Sequence, residues 1–162
     1  MQRRIFVMSL VGLTVAACKK PVASSIPAAT VPTTMIVHKS EGCLCCEGWV
    51  KHMQRAGFLV EVRNESNLDE VKTRVGVPAG KGSCHTAEVG GYFLEGHVPA
   101  EDVQRLLAQR PEAKGLVVPG MVVGSPGMEA PDGSTQPYTV ELVLHSGETI
   151  EFARHGEAHQ AA

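Results

Sequence analysis

Along residues 34–154 apolar and polar positions recur with two different periods, and each change of period marks a new element. Residues 35–38 form a short β-branched run. Trp49, Val50, Met53 and Ala56 then fall at helical spacing within residues 47–56, and Gly57 ends that helix. Residues 58–63 alternate like a strand with one buried face. Asn67 follows as an N-cap with Glu70 three residues on, and Leu68, Val71 and Val75 line a second helix that Gly76 and Pro78 stop. Residues 86–89 and 92–94 flank Gly90-Gly91, a two-residue hairpin signal. Pro99 opens a third helix with Glu101 and Asp102 in its first turn and Val103, Leu106 and Leu107 inward, and Pro111 closes it.

The order β-α-β-α-β-β-α is that of a thioredoxin-like α/β domain, with helices covering a small mixed sheet on both faces. We assign it to residues 34–112. Residues 115–137 are dense in Gly and Pro and read as a long loop of the kind that covers a site. Residues 138–144 and 149–153 form a hairpin around residues 145–148, with Tyr138, Val140, Leu142 and Leu144 inward. Residues 113–154 are therefore a C-terminal extension, and residues 155–162 a disordered tail.

The N-terminus follows a different plan. Arg3 and Arg4 precede an apolar stretch that ends in small residues, which reads as a signal peptide over residues 1–17, too short to span a bilayer. Val15-Ala16-Ala17-Cys18 resembles a bacterial lipobox, which makes Cys18 the lipid-bearing residue. By that same resemblance to lipoproteins, Lys19 after it implies the outer membrane rather than the inner. Residues 18–33, rich in Ala, Ser, Pro and Thr, read as a flexible tether. The mature chain is thus periplasmic and meets the membrane only through its anchor. With 15 Lys and Arg against 17 Asp and Glu, and aromatics at 4%, it offers neither a basic face nor a stacking platform for nucleic acid. It reads as a monomer.

Export places the remaining thiols in an oxidising compartment, where cysteines pair, hold metal or cycle. Cys43, Cys45 and Cys46 stand between the first strand and the first helix. A helix start favours thiolate over thiol through its unpaired N–H groups and macrodipole. Cys43 and Cys46 have the C-x-x-C spacing of a redox pair, and Cys45 is an extra thiol. Adjacent Cys45 and Cys46 leave a helix about 100° apart, which suits bridging of several ions better than gripping one. Soft thiolates select Cu(I). A structural zinc site is the alternative, but it usually joins two such knuckles and only one is present. Cys84 precedes the third strand, where thioredoxin-like domains carry a cis-proline loop against the cysteine motif. Here Pro78 lies six residues upstream, and Cys84 with His85 take that place. Cys84 could equally be a buried apolar residue or half of a static disulfide. Met121 and Met128 on the long loop are candidate thioether ligands, and otherwise packing residues. His38 is a secondary candidate, whereas His52, His97, His145, His155 and His159 read as surface residues.

Residues 37–46 (VHKSEGCLCC), 83–92 (SCHTAEVGGY), 95–99 (EGHVP) and 115–121 (GLVVPGM) resemble the CopG family of periplasmic copper-resistance proteins over about residues 35–152. The resemblance implies a thioredoxin-like domain whose C-terminal extension helps bind metal, a cysteine-bridged copper cluster, and interconversion of Cu(I) and Cu(II). It carries the metal-ligand role to Cys43, Cys45 and Cys46 by motif, to Cys84 and His85 by segment, and to Met121 and Met128 by position. Glu41 and Leu44 depart from the family pattern, which has Pro or Thr and Gly there. Copper oxidoreductase chemistry, thiol–disulfide exchange with Cys43 attacking and Cys46 resolving, and non-catalytic copper chaperoning or sequestration all fit these residues. The implied partners are copper ions and periplasmic copper export or chaperone proteins.

Overall fold

The computed structural model describes residues 33–156. The expected signal peptide and Cys18, almost all of the expected tether and residues 157–162 lie outside them. The first β-branched run becomes β1 (Thr34–Lys39), followed by α1 (Leu44–Arg55), β2 (Leu59–Asn64) and α2 (Leu68–Val75). Next come the hairpin β3 (His85–Val89) and β4 (Tyr92–Glu95), then α3 (Ala100–Gln109), β5 (Ala113–Val117), β6 (Tyr138–Leu144) and β7 (Thr149–His155). The seven strands form one mixed sheet in the order β2-β1-β3-β4-β5-β6-β7. β1 pairs parallel with β2 and β4 parallel with β5, and the other neighbours are antiparallel.

Three features depart from the sequence expectation. The first helix starts at Leu44, with Cys43 as its N-cap, so Cys45 and Cys46 lie in its first turn. Residues 113–117, read as loop and extension, are instead the interior strand β5. Its Leu116 and Val117 are fully buried, one toward each face, and it joins the C-terminal hairpin to the main sheet. A short apolar run without alternation suits a strand covered on both sides, and the glycines and prolines after it masked that signal. β7 runs to His155, where a disordered tail was expected. That ring stacks on Tyr138, and Nε2 lies 2.6 Å from Asp102 Oδ2 on α3.

The strands alternate between two apolar layers. Met35, Val37, Ala87, Leu94, Leu116 and Val140 pack with Trp49, Val50 and Met53 of α1 and Val103 and Leu106 of α3. Phe93, Val117 and Val143 form a smaller layer on the other side, against Val75 of α2. Each large side chain taken fully from water contributes roughly 1.5–3 kcal/mol, so the first layer dominates. On α2 only Val71 is buried, and ion pairs from Lys72 to Glu95 and from Arg74 to Glu88 complete its docking. Asn67 caps it, accepting from Asp69 N–H at 3.1 Å.

Candidate metal centre

Three pieces of chain converge at the end of the sheet where β1 stops and β3 begins. α1 supplies Cys43, Cys45 and Cys46. Its buried stripe of Cys46, Trp49, Val50 and Met53 follows the 3, 4, 7 rhythm of a helix face, which aims Cys46 into the core while Cys45 turns away from that stripe. Cys43 and Cys46 are joined as a disulfide. Cys45 and Cys84 are free thiols. Cys45 Sγ lies 3.6 Å from Cys43 Sγ and 3.7 Å from Cys84 Sγ, and the four sulfurs all fall within 4.8 Å of one another.

Cys84 belongs to a second group as well. Its Sγ lies 3.3 Å from His85 Nδ1 and 3.1 Å from His97 Nε2, and these three ligand atoms again fall within 4.8 Å of one another. The two-residue turn of the β3–β4 hairpin makes this meeting. It pairs Val89 with Tyr92 and Thr86 with Glu95, and the same register continued past the strands sets Cys84 opposite His97. His97, read from the sequence as a surface residue, is fully buried. The hairpin register was the sequence signal that could have found it.

The protonation states of these groups follow from their neighbours. Pro126 O can only accept, so His97 Nδ1, 2.7 Å away, donates to it, and in the neutral ring Nε2 presents its lone pair to the Cys84 sulfur. Burial holds His97 below its ordinary pKa. It holds His85 well below, with the nearby His97 and Lys72 charges adding to the effect. His85 is packed between the Trp49 ring at 4.4 Å and the His97 ring at 5.2 Å, and its Nε2 is buried with no hydrogen-bond partner. The Cys84 thiol is pushed up to about 12, by burial first and then by the neighbouring Cys45. The proton on Cys84 is thus held firmly against loss to water, and a cation that binds this sulfur must displace it.

The loop after β5 closes over this cluster. Besides the Pro126 carbonyl, it brings Gly127 so close to α1 that a Cβ there would lie 2.5 Å from Trp49 N and 2.6 Å from Cys45 O. Met121 and Met128 sit on this loop, the first exposed and the second half-buried. Leu44, beside the cysteines, is 80% exposed. His38, the secondary candidate, is directed elsewhere. Its Nδ1 lies 2.7 Å from Glu65 and its Nε2 3.1 Å from Glu88, so both nitrogens are taken by carboxylates.

The donors that meet are therefore four sulfurs and two imidazoles, with no carboxylate in either group. Such a set matches soft or borderline transition ions and does not match magnesium or calcium, which demand oxygen. A family model described as "Protein of unknown function, DUF411" matches residues 81–128, the span that holds Cys84, His85, His97, Met121 and Met128. There is no match among curated proteins. Two solved structures, described as "Copper resistance protein copG", form 2 and form 1, are each 42% identical to this chain over 77% of its length. They are covered to 99% and 98% of their own lengths, with TM-scores of 0.74 and 0.73.

Proposed function

This chain belongs to the CopG family of copper resistance proteins, and from that premise we propose that it binds copper at the Cys84-centred cluster as part of copper resistance. One observation carries the reading: a single sulfur, Cys84, is common to a four-sulfur group and a sulfur–imidazole group. Two ligand groups with one shared member suit several ions bridged by sulfur, since a thiolate has lone pairs for more than one soft metal. Cys43, Cys45, Cys46, Cys84, His85 and His97 are the proposed ligands, with Met121 and Met128 as thioether donors from the covering loop.

Redox cycling follows from the Cys43–Cys46 pair. Two thiolates give one electron each to two Cu(II) ions, an S–S bond forms, and two Cu(I) ions result. In reverse, two Cu(I) ions give one electron each to the disulfide, becoming Cu(II), and the two thiolates return. We place the protein in the periplasm, held by lipid on Cys18 at the outer membrane and acting as a monomer that passes copper to export or chaperone proteins. Thiol–disulfide exchange on other proteins is a second reading, favoured by the disulfide at a helix start. Cys45, 3.6 Å from Cys43 Sγ, counts against it, because a third thiol diverts the pair.

Anaerobic Cu(I) titration, with metal analysis of protein taken from the periplasm, tests the proposal. The reduced chain should take more than one Cu(I), and the disulfide form fewer. Zinc alone, retained under both conditions, would refute it. Many turnovers of added copper per chain would distinguish an oxidoreductase from a sequestering protein.

A further inference from the structure

Glu95 is fully buried on the sheet face opposite the cysteines, yet it reaches the loop that carries Cys84. Its Oε1 accepts from the Ser83 backbone N–H at 2.5 Å and from Lys72 Nζ, and its Oε2 accepts from Thr86 Oγ1 at 2.7 Å. Lys72 Nζ also donates to Thr86 Oγ1 at 3.1 Å. Three hydrogen bonds occupy most of the carboxylate's roughly four acceptor sites, and its charge is balanced on the spot.

A buried ion pair is a poor way to gain stability, because desolvation consumes most of the attraction, and apolar residues of similar volume often do as well. What this pair provides that leucine and methionine would not is an acceptor for the N–H one residue before Cys84. The same loop is held from its other side, where Ser83 Oγ donates to Gly120 O and Gly120 N–H donates to Gly82 O at 3.2 Å. Gly96 makes the approach possible. A Cβ there would lie 2.5 Å from Val118 O and 2.7 Å from Ser83 Cβ. Residues 82–84 are thus tied at Gly82 and Ser83, and Cys84 is delivered from a fixed point.

We infer that Glu95 is a positioning residue for Cys84: its carboxylate, neutralised by Lys72, fixes the Ser83 peptide so that one sulfur stays within reach of both ligand groups. The inference concerns the metal-free geometry, and its significance for copper rests on the function proposed above.

Two double variants of the full chain test it. Glu95→Gln/Lys72→Met keeps an oxygen for the Ser83 N–H and removes both charges. Glu95→Leu/Lys72→Met removes the acceptor too, in an apolar exchange of the kind that buried ion pairs often tolerate, and circular dichroism and thermal unfolding check its fold. With the Cys43–Cys46 disulfide intact, iodoacetamide labelling read by peptide mass spectrometry gives the rates of Cys84 and Cys45 in one molecule. Global loosening raises both rates together, and loss of positioning raises that of Cys84 alone. The Leu/Met variant should raise the Cys84-to-Cys45 rate ratio about tenfold, and the Gln/Met variant should hold it near wild type. An unchanged ratio in the Leu/Met variant, or both thiols accelerating alike, would overturn the inference. Cu(I) retention against a chelator, run in parallel, should fall in the Leu/Met variant only. A wild-type chain that takes up no Cu(I) would sink the copper reading and leave the labelling result standing.

Discussion

Cys84 Sγ and His97 Nε2 face each other at 3.1 Å, thirteen residues apart in the chain, while the far nitrogen of the same ring donates to the Pro126 carbonyl. This arrangement of ligand, ring and outer partner fixes the tautomer before any ion arrives. His97→Ala should therefore weaken Cu(I) binding by at least about tenfold, the scale on which even outer partners of ligands act. Competition with a Cu(I) chelator measures the change. Affinity equal to wild type would remove His97 from the ligand set.

The shared position of Cys84 makes the cysteines unequal. Cys45→Ser leaves the Cys84, His85 and His97 group intact, so this variant should keep a single tight Cu(I) and lose the rest. Cys84→Ser breaks both groups and should lose nearly all tight binding. Copper per chain after anaerobic gel filtration separates the two, and equal losses would mean that the groups do not work through one sulfur.

Acid should destabilise the metal-free protein in a particular window. Burial sets His85 well below and His97 below the ordinary 6.5 in the folded state. Above that value both rings are neutral whether folded or unfolded, and their contribution is complete. As pH falls below 6.5 the unfolded chain binds protons that the folded rings refuse, so stability declines until the folded rings protonate in turn. Each ring adds a slope of up to about 1.4 kcal/mol per pH unit. Urea unfolding between about pH 7 and about pH 5 should show wild type losing stability more steeply than His97→Gln, and parallel slopes would contradict this assignment.

Gly127 has φ +87° and no room for a Cβ against Trp49 N and Cys45 O. Gly127→Ala should cost about 1–3 kcal/mol. It should also shift the neighbouring Pro126 carbonyl off His97, so thermal stability and Cu(I) affinity fall together. Gly133→Ala, at a position with open space but a similar φ of +73°, should lose stability without loss of affinity.

The legible parts of the sequence were those in which one local rule decides the outcome. The stripe through Trp49, Val50 and Met53, the Asn67 cap and the Gly90-Gly91 turn each specify an element by themselves, and together they gave the β-α-β-α-β-β-α order and the site of the cysteine turn. β5 was missed because its partners, β4 and β6, are what define it, and residues 113–117 carry no alternation of their own. His97 was missed for a related reason, since nothing around it signals burial and only the strand register brings it to Cys84. His38 was misjudged because carboxylates from β3 and from just after β2 compete for its ring. Glu95 reads as one more charge at a strand end until Lys72 is brought to it by α2.

The candidate donors are also graded by depth. Leu44 stands in solvent, Cys43, Cys45 and Cys84 are half-buried, and Cys46, His85 and His97 are fully buried. A cation entering from the aqueous side must shed its hydration shell onto sulfur before any nitrogen is available to it. Strongly hydrated ions would gain little from that trade, so in the proposed function the order in which donors are met would turn away the abundant cations of the medium at the threshold, ahead of any discrimination by the inner cluster.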